Sequence, residues 1–143
     1  MIVRFKKLHP EAVVPTKAHP QDAGFDLTCT TVENDDNCIS YGTGIAVEIP
    51  DGYVGLVFPR SSVYRKDLIL SNSVGVIDSN YRGEISMKFK TDGIPGGFSV
   101  AAYEVGDRIG QLLIIPYPEI EFEEADELSE SDRGEGGYGS TGA

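Results

Sequence analysis

The chain is short of basic residues. Twelve lysines and arginines stand against 23 aspartates and glutamates among 143 residues, a formal net charge of −11. A general grip on DNA or RNA backbones needs a basic surface, so that class of function is set aside. A small anion held in a local pocket remains open. Cysteine and histidine are scarce as well. Cys29 and Cys38 fit no zinc spacing, and His9 and His19 lie elsewhere in the chain, so the cysteines read as two free thiols in a reducing compartment rather than a disulfide. Apolar runs stop at four residues, as in LLII at Leu112–Ile115, against roughly 20 for a membrane-spanning helix. The opening MIVRFKKLHP puts charge where a signal peptide would need its apolar segment, so a cytoplasmic protein is expected. Helical periodicity is nearly absent, and no internal repeat is visible.

What is present is a set of short β-rich runs punctuated by glycine, proline and aspartate. Strands are expected at Ile2–Leu8, Asp26–Thr31, Gly44–Ile49, Tyr53–Phe58, Asp67–Leu70, Glu84–Lys90, Ser99–Tyr103, Ile109–Ile115 and Ile120–Glu123. PDG at Pro50–Gly52 and VGD at Val105–Asp107 read as turns. One helical turn, Ser61–Lys66, follows Pro59. Many short strands at close spacing predict an all-β barrel or jelly roll. A connector from Glu119 to Asp132 carries eight acidic residues and no basic one, the mark of a solvated segment. The chain then ends in DRGEGGYGSTGA, with five glycines. The division expected is a β domain over 1–128 and a flexible arm over 129–143.

Four stretches could carry chemistry. In PRSSVYRK, Ser61 and Ser62 open a short helix directly after Arg60, an arrangement suited to an anion and equally to plain N-capping. In NSVGVIDSNYRGEI, Asn72–Ile85, an apolar strand end runs into Asp78, and a turn and a second strand follow, which predicts a β-hairpin with Tyr81 at its tip. Asp78 could accept a proton from water or simply bond its own turn amides. In DAGFDL, Asp26 could help hold a hydrated cation or serve as a turn aspartate. The tail offers glycine amides for an anion nest, the charge of Arg133, the hydroxyls of Ser140 and Thr141 and the flat face of Tyr138, and it lacks the Gly-Lys-Ser/Thr ending of a P-loop. Its composition is equally that of a disordered terminus.

Taken singly, each stretch reads as structure before it reads as chemistry. Their order is more telling. DAGFDL, PRSSVYRK, GVIDSNYRGEI, GDRIGQLLIIP and RGEGGYGSTG resemble, in sequence, the five motifs of the homotrimeric dUTPases, over nearly the whole chain from Asp22 onward. That resemblance implies a jelly-roll subunit, a homotrimer with three sites at subunit contacts, and hydrolysis of dUTP to dUMP and pyrophosphate, which limits uracil incorporation into DNA and supplies dUMP. It implies that Asp78 activates the water that attacks the α-phosphorus. Asn72 and the hairpin backbone at Val76 and Ile77 read uracil, and Tyr81 packs under the deoxyribose. Arg60, Ser61, Ser62 and Gln111 hold phosphates, and Asp26 reaches Mg²⁺ through water. Arg133, Tyr138, Gly139, Ser140 and Thr141 form an arm that closes over base and phosphates, carried to a neighbouring subunit by the acidic connector. Three departures stand out: Tyr138 where phenylalanine is usual, Gly110 where alanine is commoner, and no glycine after PRSS, which puts a role for Lys66 in question. Two other readings compete: a dCTP deaminase-like enzyme of the same superfamily, and a non-catalytic trimeric protein-binding module.

Overall fold

In a computed structural model, the structure describes residues 1–35, 38–66, 68–91 and 102–137. Ten strands follow one another: β1 (Arg4–Lys7), β2 (Phe25–Thr28), β3 (Thr31–Asp35), β4 (Cys38–Gly42), β5 (Ile45–Glu48), β6 (Tyr53–Pro59), β7 (Leu68–Leu70), β8 (Gly75–Ile77), β9 (Ser86–Thr91) and β10 (Arg108–Pro116). A five-residue 3₁₀ turn, Ser61–Arg65, separates β6 from β7. There is no α-helix among the described residues. The strands form a β1-β5 ribbon and two four-stranded antiparallel sheets, ordered β2-β10-β6-β8 and β3-β4-β9-β7. The architecture is the all-β, jelly-roll-like β-barrel that the family resemblance implies.

The alternation of apolar and polar residues is plainest in and just before β9. Ile85, Met87 and Phe89 are buried while Ser86, Lys88 and Lys90 between them are exposed, the period of two expected for a one-sided strand. Leu27, Val57, Ile109 and Leu112 meet them from the other sheet in one apolar cluster. Tyr41 stacks edge-on against both Phe89 and Tyr103, each at 5.7 Å between ring centroids. Gly55 faces this core: an added Cβ would meet Ile49 Cδ1 at 2.7 Å, so only glycine fits there without repacking.

The chain changes sheets at corners held by buried hydroxyls. Thr30 Oγ1 donates to the Thr43 carbonyl at 2.8 Å, and Thr43 Oγ1 donates to the Ile85 carbonyl at 2.7 Å. The run expected as one strand over Asp26–Thr31 is therefore broken into the end of β2 and the start of β3. β3 and β4 themselves escape the sequence reading, because Thr31–Asp35 and Cys38–Gly42 surround a cluster of acids and amides that resembles a loop. The strand expected at Ile120–Glu123 does not form. Ile120 and Phe122 are 66% and 95% exposed, and the surrounding acids keep the segment solvated. The PDG and VGD turns are present, with Gly52 and Gly106 at φ 79° and 94°. Of the expected Ser99–Tyr103 strand, residues 99–101 lie outside the described residues, and Ala102 and Tyr103 are not in a strand.

The expected hairpin over Asn72–Ile85 is also corrected. β8 pairs with β6, whereas β9 pairs with β4 and β7. The segment between Asp78 and Gly83 is a corner that carries the chain from one sheet to the other. Ile85, just before β9, donates its N–H to the Ile45 carbonyl of β5 at 2.9 Å. Asp78 and Tyr81 thus sit where the two sheets part, and not at the end of a ribbon.

Candidate active site

β10 is flanked by β2 and β6, and its register sets Gln111 opposite both Asp26 and Phe58. Directly opposed residues share a sheet face, so Asp26, Gln111 and Phe58 form one row on the outer side of the barrel. Arg60 follows β6 in extended conformation and brings its Nε to 3.0 Å from Asp26 Oδ1. Arg108, at the start of β10, donates from Nη1 to Asp26 Oδ2 at 2.8 Å. The Asp26 side chain is only 16% exposed; two guanidinium groups offset the cost of holding its charge there. Gly24 makes room for Gln111, since an added Cβ would lie 2.5 Å from Gln111 Oε1. The Gln111 amide donates to the Pro59 carbonyl at 3.3 Å. Gly24, Asp26, Phe58, Arg60, Ser61 and Gln111 line one cavity of about 390 Å³.

Ser61 and Ser62 begin a 3₁₀ turn of five residues with no side-chain cap. It is too short to gather a helix dipole. Lys66 lies elsewhere: its Nζ donates to the Ala102 carbonyl at 3.1 Å and sits 5.0 Å from the Tyr103 ring centroid. Its role among the described residues is to tie the 3₁₀ turn to the segment before β10.

The second group of residues surrounds the corner. Asp78 is exposed and belongs to two neighbouring cavities. One, about 550 Å³, includes Tyr53, Ser79 and Asn80; the other, about 200 Å³, includes Val76, Ile77, Tyr81 and Glu84. The Tyr81 N–H donates to the Asp78 carbonyl at 3.1 Å, and its hydroxyl donates to the Glu84 carbonyl at 3.0 Å. The ring therefore lies back over Gly83, where a side chain would strike the Tyr81 hydroxyl. Asn72 is exposed in the turn before β8, beside Ser73, whose φ of 61° is left-handed.

The two groups stand apart within one chain. β2 and β8 are the outer strands of the same sheet, three strand spacings from each other, or about 14 Å. Among the described residues, none lines both the Asp26 cavity and an Asp78 cavity. Arg133 is turned onto its own segment, donating from Nε to the Gly136 carbonyl at 2.8 Å. Tyr138, Gly139, Ser140 and Thr141 lie outside the described residues. Sequence reasoning missed Arg108 and Gly24. The signal for Arg108 was a cation at the head of the strand that must run beside Asp26; the signal for Gly24 was a glycine two residues before that carboxylate.

Among the described residues no group of three or more histidine, cysteine, aspartate or glutamate side chains could hold a metal ion. Both Asp26 oxygens already accept from arginine. A cation that keeps most of its waters and takes its remaining ligands from phosphate oxygens, as Mg²⁺ does, needs no such group and would meet this carboxylate only through water.

Fold and site together define an all-β barrel with a guanidinium- and amide-lined cavity on its outer face. The dUTPase family profile matches residues 10–142. A deoxyuridine 5'-triphosphate nucleotidohydrolase of Nocardia farcinica is 41% identical over 144 residues, covering 98% of this chain and 85% of the relative. A variant dUTPase of Staphylococcus bacteriophage 80alpha, solved with dUpNHpp, superposes with a TM-score of 0.86 at 30% identity over 99% of each chain. A variant dUTPase from phage phi11 of S. aureus, whose structure concerns the coordination of a structural Mg(II) ion, gives a TM-score of 0.74 at 27% identity over 90% of this chain and 99% of that one. The chain belongs to the dUTPase family. It is an enzyme, and its reaction is the hydrolysis of dUTP.

Proposed function

We propose that this chain hydrolyses dUTP to dUMP and pyrophosphate at sites shared between the subunits of a homotrimer. The observation that carries this reading is the separation of the candidate residues into two clusters at opposite edges of one sheet. Neither cluster suffices alone: one holds cationic and amide groups for phosphates, the other the carboxylate that would act on water. A second copy brings one cluster to the other. The outer face of the same sheet supports that assembly. Leu56 and Leu113 lie opposite each other, Val76 lies beside Leu56, and Ile115 lies beside Val54. Val76 and Ile115 are 61% and 39% exposed, an apolar face of the kind that a second copy covers.

In the proposed reaction, Asp78 takes a proton as the water oxygen bonds to the α-phosphorus, and the bond from that phosphorus to the bridging oxygen breaks. Pyrophosphate leaves with the electron pair. Arg60, Ser61, Ser62 and Gln111 hold the phosphate oxygens, and Asp26 fixes Arg60 in advance, so little reorganisation is needed. Asp26 would hold a Mg²⁺ ion through water, and that ion would supply charge neutralisation on the polyphosphate. β8 is an edge strand, so the backbone groups of Val76 and Ile77 that do not face β6 are free to read a base edge, with Asn72 beside them. Tyr81 is the ring under the deoxyribose. The domain is 1–128, and the arm, 129–143, closes Arg133, Tyr138, Gly139, Ser140 and Thr141 over the substrate in a cytoplasmic enzyme. The hydrolase relatives set aside the deaminase and the non-catalytic module.

The test is pyrophosphate release across the four deoxynucleoside triphosphates and dUTP, with and without Mg²⁺. Turnover confined to dUTP and raised by Mg²⁺ is expected. Comparable turnover of dCTP or dTTP would sink the base-reading assignment, and indifference to chelation would sink the metal assignment.

A further inference from the structure

The corner from Asp78 to Gly83 must hold two side chains in place without help from a β-ladder. Its own backbone gives one hydrogen bond, from the Tyr81 N–H to the Asp78 carbonyl at 3.1 Å. The Tyr81 hydroxyl adds a bond to the Glu84 carbonyl at 3.0 Å, and Arg82 ties the carbonyls of the turn itself. Its Nη1 donates to the Ser79 carbonyl at 2.6 Å and to the Tyr81 carbonyl at 2.9 Å. One guanidinium nitrogen thus chelates two carbonyls of the turn between Asp78 and Tyr81. Its Nη2 lies 3.6 Å from Glu48 Oε1 on β5. Glu48 is itself gripped from both sides, because Arg4 of β1 donates from Nε to Oε2 at 2.5 Å and from Nη2 to Oε1 at 2.8 Å. The Arg4 guanidinium holds the Glu48 carboxyl below the usual carboxylate range, which keeps it anionic.

We propose that Arg82 is a positioning residue for dUTP hydrolysis: it fixes the turn from which Asp78 and Tyr81 project, and Glu48, braced by Arg4, holds Arg82 in place. This rests on the assignment of Asp78 as base and Tyr81 as sugar ring. The three side chains are exposed, at 52% for Arg82, 37% for Glu48 and 78% for Arg4. Exposed ion pairs add little to global stability, so the arrangement acts on the local path of the corner and not on folding. A carboxylate displaced by an ångström loses its line to the attacking water, which alone costs up to about a hundredfold in rate.

The experiment measures kcat and KM for dUTP and UTP, with melting temperature, in Arg82→Met, Arg82→Lys, Glu48→Gln and the Glu48→Gln/Arg82→Met pair, beside Asp78→Asn. Arg82→Met is expected to lower kcat on the order of tenfold to a hundredfold and to narrow the dUTP-over-UTP ratio, with the melting temperature nearly unchanged. Arg82→Lys, which keeps donors for the carbonyls, recovers part of kcat. Glu48→Gln lowers kcat by a few-fold, roughly, and adds nothing on top of Arg82→Met, because it acts through that side chain. A normal kcat in Arg82→Met beside an inactive Asp78→Asn overturns the positioning role alone, as does full additivity of the pair. A fully active Asp78→Asn overturns the base assignment and this proposal with it.

Discussion

Asp26 shows how much a single side chain depends on its neighbours. A lone half-buried carboxylate is costly, yet here Arg60 and Arg108 reach its two oxygens at 3.0 and 2.8 Å. The sequence order of the motifs puts Asp26 and Arg60 in one site; only the strand register reveals that they touch. Cys29 is a contrasting residue, with chemistry suppressed by its surroundings. It is 2% exposed, and burial pushes its thiol up to about 11. Burial also raises the Tyr41 and Tyr103 phenols. The folded state therefore holds the Cys29 proton more tightly than the unfolded chain does. Its stabilising contribution is complete below about pH 8.5 and is lost as pH rises toward about 11. Urea unfolding at pH 8 and pH 10 is expected to show lower stability at pH 10, and Cys29→Ala to reduce that slope. A thiol reagent at pH 8 should modify half-buried Cys38 well before Cys29.

At the scale of the element, β10 organises the molecule. It is the longest strand among the described residues, lies between β2 and β6, and carries Arg108 and Gln111 on its way. Ile109 and Gly110 are buried at the irregularity in its pairing with β2. Gly110 is where the dUTPase motif commonly has alanine, and the structure gives the reason for the difference. An added Cβ would strike Met87 Sδ and would lie 2.9 Å from the Phe58 carbonyl oxygen. Met87, from the facing sheet, fills the space that a methyl would take. Gly110→Ala is expected to cost about 1–3 kcal/mol, seen as a lower melting temperature at fixed protein concentration. Adding Met87→Val is expected to restore part of the loss. An unchanged melting temperature in the single variant would show that the thioether moves aside freely.

At the scale of the whole molecule, the Asp26 cavity and the Asp78 corner of one chain share no lining residue among those described. If a trimer unites them, two inactive variants should rescue each other. Asp78→Asn and Arg60→Ala, mixed equally, unfolded and reassembled, would give trimers in which a site takes its two groups from different chains. About one site in four would then be intact, and activity near a quarter of wild type is expected once size-exclusion chromatography confirms trimers. A mixture that stays dead as confirmed trimers would place both groups in one chain's site.

The sequence by itself determined the strand inventory along β5, β6, β9 and β10, because each is a β-rich run bounded by turn residues, apolar along β5, β6 and β10 and alternating along β9. It determined the turns at Gly52 and Gly106, where a positive φ requires glycine. It also determined the family, since five short motifs keep their order over the chain. It did not determine the partners of those strands. Asn72–Ile85 has the local pattern of a hairpin, yet Thr43 draws Ile85 into the second sheet through a buried hydroxyl bond to its carbonyl, at 2.7 Å. Local pattern records which face of a strand is apolar; which strand it pairs with depends on contacts far along the chain. The same holds for the site. Arg108 and Gly24 gain their meaning only from β10 lying beside β2, and Arg82 only from β5 lying beside the corner. Those meetings are long-range, and tertiary packing alone brings them about.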